Sequence, residues 1–389
     1  MKIVAGFFRK GNLHKWKKTF GFLLLIIFLS SSIIQGATWF VKGTSNESTI
    51  FIPTQTLTFS SESEIISFEI FNSKMYAITS NEVIIYDISD SLNPTEIYEI
   101  PVNNSISTGT LSENGQNLKL YLSLSNGSLL IFDVSEPTFP RLMKSQSINQ
   151  TFSQILVKDV NLFGMTSKSV YFYNISQENR INFVGKIFGT QIHAIQYDSP
   201  YLFIAQTQIG LQIVDFSNFT HPVNQSCIED AVDGFDLALD IPNDIIYLAA
   251  GKAGILSVYI SNMSNIVVVN KLNQTVPVKN VFLNGSFLFT RFDSGGLCLF
   301  YIDLPGYPVL VDYLESTNTY GKINLSGTTL FVQNYPNEIQ IFDCKGIEGY
   351  LSNSSKIKLK TILQVGGFLL FFMIILAFIA KKVSPKYSD

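Results

Sequence analysis

Tryptophan, cysteine and histidine are all scarce here: the 389 residues include only two Trp, three Cys and three His. Cys227, Cys298 and Cys344 allow at most one internal disulfide, which excludes a disulfide scaffold. A chain that buries a core of about 300 residues does not need one. No C-x-x-C occurs, and only His193 and His221 lie between residues 38 and 360, so zinc-ligand spacing is missing. G-x-S-x-G, H-E-x-x-H and a phosphate-cradling glycine loop are also absent. We therefore assign no catalytic residue, no metal ligand and no cofactor, and expect a protein that is not an enzyme. Positive charge is short in the same region. Residues 38–360 carry 18 basic and 29 acidic side chains, a net charge of −11. Nucleic acid and anionic lipid surfaces are poor partners for such a domain.

What the chain has in quantity is one phrase, an apolar strand ending in Asp or a substitute and usually followed by Ser. It reads VIIYDIS (83–89), LLIFDVS (129–135), VYFYNIS (170–176), LQIVDFS (211–217), ILSVYIS (255–261), LCLFYID (297–303) and IQIFDC (339–344). The anchors are Asp87, Asp133, Asn174, Asp215, Tyr259, Tyr301 and Asp343, at steps of 46, 41, 41, 44, 42 and 42 residues. A repeat of that length predicts a ring of seven blades. Within the fourth repeat, strand-like runs at 193–197, 201–205, 211–215 and 223–228 are separated by turn residues, which is a four-stranded antiparallel sheet. Several runs are continuously apolar, as expected of sheets buried on both faces.

The recurring Asp has a local purpose. At a strand end its carboxylate accepts N–H groups about two residues on, and proline then fixes the exit. We read Asp87, Asp133, Asn174, Asp215 and Asp343 as structural turn anchors. In the sixth repeat Asp303 stands at the Ser position, and the capping role is expected to shift to it. Residues 50–59 (IFIPTQTLTF) are strand-like, while 344–355 are poor in β-formers. The N-terminal run is therefore expected to pair into the last blade and close the ring.

The ends differ in kind. Residues 1–37 hold six basic residues and no acid, then the apolar stretch 20–29 and serines, the pattern of a secretory signal. Its cleavage site is blurred, and an uncleaved anchor is the alternative. Residues 361–380 are uncharged and rich in Phe, Leu and Ile; twenty helical residues span about 30 Å, the thickness of a bilayer core. Lysines flank both sides of it, so charge does not orient the span. Sequons do. N-x-S/T occurs at Asn46, Asn103, Asn126, Asn149, Asn174, Asn218, Asn224, Asn262, Asn273, Asn284, Asn324 and Asn353. That is 12 of 29 asparagines, where chance gives about five, and turn chemistry explains only part of the excess. The expected organisation is a signal at 1–37, a lumenal or extracellular propeller at 38–355, a transmembrane helix at 361–380 and a cytoplasmic tail at 381–389.

The phrases LQIVD, LLIFD and IQIFD, followed by Ser and Pro as in LLIFDVSEPTFP (129–140), resemble the LVIVD-repeat family over about residues 60–345. The resemblance implies a β-propeller and an exported or cell-surface setting. It implies no catalytic residues, and none is carried over. Trp-Asp, sialidase-type and kelch-type signatures are missing.

Two local clusters invite chemistry. DSGG at 293–296 resembles the nucleophile segment of trypsin-like proteases but lacks the preceding Gly and a matching His, so a tight turn is the better reading. Glu229, Asp230, Asp233, Asp236, Asp240 and Asp244 crowd 16 residues, but Phe235 and the apolar run 237–239 interrupt them as a strand would. A solvated connection fits better than a calcium site. The sequence therefore predicts an all-β protein, a seven-bladed β-propeller ectodomain with one C-terminal transmembrane α-helix. Its expected role is that of a single-pass type I glycoprotein at the cell surface or in a secretory-pathway membrane. The propeller loops would bind a protein or glycan partner for adhesion or scaffolding. A lumenal hydrolase acting on glycans, with paired acids at the channel, and an endomembrane assembly factor are the alternatives.

Overall fold

The computed structural model describes residues 50–347, apart from 61–62, 115–116, 178–179, 229–231, 275, 315–318 and 335. The signal at 1–37, the span at 361–380, the tail at 381–389, Asn46 and Asn353 lie outside the described residues. Among the described residues no helix is long and apolar enough to cross a membrane.

The chain forms seven four-stranded antiparallel sheets, one per repeat. Each sheet is a blade, with its first strand innermost. Blade 4 is typical, with strands Ile192–Asp198, Tyr201–Gln206, Gly210–Asp215 and Val223–Cys227. Blade 7 takes Thr319–Ser326, Thr329–Asn334 and Glu338–Asp343 from the last repeat and Ile52–Thr58 from the start of the chain. Ile52 pairs with Asp343 and Thr58 with Glu338, with a bulge between Pro53 and Gln55. The N-terminal strand thus closes the ring as the sequence predicts.

The core lies between blades. Buried apolar side chains form seven clusters, each shared by two adjacent sheets. That is why second strands such as Ile245–Ala249 (IIYLA) are buried at every residue: both faces meet a neighbouring sheet. Close approach has local requirements. A Cβ on Gly164 would come within 2.4 Å of the Phe152 ring, so this strand carries no side chain where the neighbouring loop inserts its phenyl group.

The anchors end third strands, and their oxygens organise the following turn. Ser89 N–H donates to Asp87 Oδ1 at 2.8 Å, Ser135 N–H to Asp133 at 3.1 Å, and Ser176 N–H to Asn174 at 3.1 Å. Ser217 N–H donates to Asp215 at 2.7 Å and Lys345 N–H to Asp343 at 3.1 Å. The serine bonds hold the Asp87, Asp133 and Asp215 carboxyls below the ordinary carboxylate range, with Asp87 at about 2. A second turn follows three residues later. Asp90, Asn218 and Asn262 accept the N–H of Leu92, Thr220 and Ser264. In blade 5, where Tyr259 stands at the anchor, Asn262 caps the loop through that bond.

Blades 3 and 6 depart from the pattern. Their third strands run on through Ser169–Gln177 and Leu297–Leu304, past Asn174 and Tyr301. Blade 3 has no proline after the anchor to stop the ladder. In blade 6 the strand, with Asp303 inside it, reaches a tight hairpin in which Leu304 pairs with Tyr307 across Pro305 and Gly306. Gly306 has φ 83°, the conformation a type II turn asks of its third residue. Gly306 N–H donates to the buried Tyr247 hydroxyl of blade 5 at 3.0 Å, so this turn latches two blades.

Replacing Asp215 by Ala removes an acceptor for both the N–H and the hydroxyl of Ser217. The expected loss is about 1 kcal/mol, the usual value of a helix N-cap oxygen doing the same work. Asp215→Asn keeps the acceptor and should lose far less. Equal losses in the two variants, read from urea midpoints, would contradict this role.

Candidate functional site

The first strands of all seven blades line an axial channel of about 1170 Å³. One structurally equivalent position in each blade faces it: Ser67, Thr108, Gln154, Ala194, Asp236, Asn280 and Lys322. No aromatic residue occupies this ring, and five of its members are uncharged. Its charged side chains and several of its amides are committed to joining blades. Gln154 of blade 3 donates to Ile195 O and accepts Ile195 N–H of blade 4, both at 3.0 Å. Gln333 of blade 7 donates to Ile65 O of blade 1 at 2.7 Å and accepts Lys322 N–H at 3.1 Å. Lys322 Nζ meets Glu69 of blade 1 at 2.7 Å.

Asp236 is the third such clamp. Its Oδ2 accepts Val281 N–H and Asn280 Nδ2 of blade 6, both at 3.2 Å, and Oδ1 accepts Leu237 N–H at 2.9 Å. The Arg291 guanidinium donates in turn to Asn280 Oδ1. Water-sized contact reaches Asp236 from the channel, yet protein surrounds it on every other side. Desolvation pushes its carboxyl up to about 6, against the hydrogen bonds and Arg291, which pull it down.

Beside it, Phe235 lies between His193, with ring centroids 4.8 Å apart, and Lys279, whose Nζ sits 3.6 Å over the ring. His193 Nε2 hydrogen-bonds Thr207 Oγ1 at 3.0 Å. Burial and the Lys279 charge lower the His193 pKa. The two channel carboxylates, Glu69 and Asp236, stand on blades 1 and 5 and are held by different partners.

The other singled-out residues fall as follows. Residues 293–296 form the turn between Phe287–Phe292 and Leu297–Leu304, with Gly295 and Gly296 at positive φ. Of the acidic cluster, Glu229 and Asp230 lie outside the described residues. Asp233 is exposed and accepts Gln208 N–H, Asp236 faces the channel, and Asp240 is buried against Asn243. Among the described residues no group of three or more His, Cys, Asp or Glu is placed to hold a metal. Cys227 is exposed while Cys298 and Cys344 are buried, and none of the three is in a disulfide.

Ten of the sequon asparagines are described. Asn103, Asn126, Asn149, Asn218, Asn224, Asn262, Asn273 and Asn284 are exposed, and Asn174 and Asn324 half-buried. None of the ten donates a hydrogen bond from its side-chain nitrogen. Among the described residues the asparagines that do are Asn93, Asn243, Asn270, Asn280, Asn334 and Asn337, all outside sequons. Strand direction sorts the ten by face. Asn174, Asn218, Asn224, Asn262, Asn284 and Asn324 lie toward the face that carries the anchors; Asn103, Asn126, Asn149 and Asn273 lie toward the other.

The molecule is a seven-bladed β-propeller whose channel is a set of inter-blade clamps. Within that class the chain carries LVIVD repeats: residues 120–147 and 199–227 match that repeat family. These segments span the anchors Asp133 and Asp215, where Ser follows the Asp. No curated protein matches the chain. Among solved structures, a chain in the crystal structure of the Mitotic Checkpoint Complex is similar, with a TM-score of 0.60 at 13% identity. The likeness covers 78% of this chain and 94% of that one, and it shows a shared fold.

Proposed function

We propose that this protein is a membrane-anchored glycoprotein whose propeller, outside the cytosol, is a binding or scaffold module for a protein partner. The observation that carries the reading is the state of the sequons. Of the ten described sequon asparagines eight are exposed and two half-buried, and none donates from the nitrogen to which a glycan would attach. Asparagines engaged through that nitrogen are all outside sequons. The basic, then apolar, start of the chain and the uncharged run at 361–380 agree with a secreted ectodomain held by one span.

Binding is favoured over hydrolysis because both channel carboxylates are already engaged in holding blades together, Glu69 by Lys322 and Asp236 by Val281 and Asn280. A rigid ring of that kind presents its loops for contact. The similar chain of the Mitotic Checkpoint Complex belongs to a protein assembly, in keeping with a propeller used for contact. Among the described residues, sequons on the non-anchor face stand only beside blade 2 and between blades 5 and 6, and two stretches, blades 3 to 5 and blades 6 to 1, carry none. The loops of that face surround the channel mouth, and we assign the partner to it.

The test is surface biotinylation of intact cells expressing the chain with a tag in residues 38–48, with and without enzymatic deglycosylation. A labelled protein that shifts on deglycosylation is the expected result. A shifted but unlabelled protein would move the propeller to internal membranes. An unshifted protein would overturn the reading.

A further inference from the structure

A second cavity opens on the outside of the ring, between blades 2 and 3. It holds about 340 Å³, within the range of small-ligand sites. One wall is the blade 3 sheet, which presents Tyr171, Tyr173 and Phe183. The other is the end of the outermost strand of blade 2, Arg141–Ser147, and the connection that follows it. The aromatic wall is ordered. Phe183 packs against Tyr173 at 5.5 Å and Tyr171 at 6.2 Å, and Lys186 lies over Tyr171 at 5.5 Å. Yet Phe183 is 57% exposed and Phe188, on the same strand, 70%. Phe188 lies outside the cleft with Lys186 over its ring at 4.8 Å, and Tyr173 is buried, so Phe183 and the half-buried Tyr171 are the apolar area the cleft offers to a cover.

The cleft has a sequon asparagine on its rim. Asn149 lines it, is exposed, and adopts a left-handed conformation with φ 54°. Ser147 Oγ donates to Asn149 Oδ1 at 3.0 Å, which fixes the side-chain amide and leaves Nδ2 unengaged. Thr151, the hydroxyl member of the sequon, is anchored on Leu124 O and Ser125 O of blade 2. The attachment atom is therefore held at the edge of an aromatic trough by bonds on both sides.

We infer that the aromatic cleft between blades 2 and 3 is a docking site for the N-glycan on Asn149, whose first sugars lie on Tyr171 and Phe183. The chemistry fits. A pyranose ring has an apolar face of C–H groups that buries area against an aromatic ring, and its hydroxyl and acetamido groups need hydrogen-bond partners at the edge. Ser147 and Gln150 supply that edge. The glycan would act as a covalently tethered cover, joining two blades on the outside as Gln154 joins blades 3 and 4 in the channel. Because the tether makes the encounter intramolecular, weak stacking is enough to keep the cleft filled. The inference rests on the glycoprotein reading above and goes beyond it in assigning one glycan a structural seat.

The experiment uses the full chain made in secretory-competent cells. Native protein is treated with an endoglycosidase and the remaining glycan at each site is followed by mass spectrometry. The Asn149 glycan should be trimmed about tenfold more slowly than those on Asn103 and Asn284, because cleavage must wait for the sugar to leave the cleft. Phe183→Ala, a change at an exposed side chain, should remove that difference without altering occupancy. Asn149→Gln should raise hydrogen exchange in Arg180–Phe188 alone. Equal trimming at the three sites, or an empty Asn149 beside occupied Asn103 and Asn284, would overturn the inference and leave the glycoprotein reading intact. Glycan at no site would overturn that reading itself. Protection of Arg180–Phe188 that persists in Asn149→Gln would point to an untethered occupant and also defeat the proposal.

Discussion

A chain that begins at Ser60 is expected not to form a stable monomeric propeller. Ile52–Thr58 is the outermost strand of blade 7, and without it the Glu338–Asp343 strand becomes an open edge. The loss is more than a ladder of backbone bonds. Ile50 and Phe51 lie in the cluster shared by blades 6 and 7, with Phe51 set edge-on to Phe342 at 6.1 Å. Ile50 N–H donates to Asp312 Oδ2 at 2.6 Å, reaching across to blade 6. Asn337 and Phe59 exchange two bonds, 2.9 Å and 3.0 Å, that seal the other end of the strand. Exposing an apolar edge of this kind invites pairing with other chains, so the truncated protein should elute as aggregate. A point variant gives the magnitude. Phe51 is 2% exposed, and Phe51→Ala should cost about 3–5 kcal/mol through lost transfer energy and the cavity left behind. Pro53→Ala, on an exposed position of the same strand, serves as the control and should change little. A monomeric Ser60-start protein with an unchanged denaturation midpoint would show that closure does not hold the ring.

This closing strand was legible before any coordinates, and so was the number of blades. Both follow from periodicity and from an unpaired strand at each end of the repeat array. In blade 4 the expected strands fall within about a residue of those formed, because Gly, Pro and Asx residues mark each turn chemically. The clamps were not legible. Gln154 and Ile195 are 41 residues apart, and the bond between them needs no local pattern. A glutamine in an apolar strand looks the same whether it faces water or a neighbouring backbone. Asp236 misleads for the opposite reason: with its acidic neighbours along the chain it reads as part of a solvated connection. In the fold Asp233, Asp236 and Asp240 point to surface, channel and blade interior. The extra length of the blade 3 and blade 6 ladders was hidden because Asn174 and Asp303 carry the residue types of a turn. Only the missing proline in one case and Pro305–Gly306 in the other separates the two outcomes. The aromatic cleft was hidden as well, since Tyr171 and Tyr173 read as ordinary strand residues until the sheet pairing places Phe183 opposite Tyr173.

The channel-facing Asp236 carboxyl also predicts how stability depends on pH. The Asp236 pKa is about 6 in the folded protein against an ordinary value of 3.8. A carboxyl raised on folding binds more protons in the native state than in the unfolded one across that interval. Its contribution is therefore full below 3.8 and is lost as pH rises through 6. At about 1.4 kcal/mol per pH unit, the interval is worth about 3 kcal/mol. Glu99, raised by sharing a hydrogen bond with Glu82, has the same sign. Other groups oppose it. His193 is lowered by burial and by Lys279, so what it adds is lost as pH falls through its folded value. The anchors Asp87, Asp133 and Asp215 are lowered by the serine bonds, and their turns weaken as pH falls below the ordinary carboxylate range. The sum places the stability maximum in mildly acidic solution, above the anchor titrations and below that of Asp236. Replacing Asp236 by Asn isolates the largest part. The variant keeps one acceptor for blade 6 and has no charge to desolvate, while Lys279, His193 and Arg291 are unchanged around it. Its stability relative to the unsubstituted protein should rise by about 3 kcal/mol between pH 4 and pH 7, the window the two Asp236 values define. Urea midpoints at several pH values measure this. Parallel pH profiles for the two proteins would mean that Asp236 is ionised in the channel at little cost, and that the clamp between blades 5 and 6 is an ordinary solvated hydrogen bond.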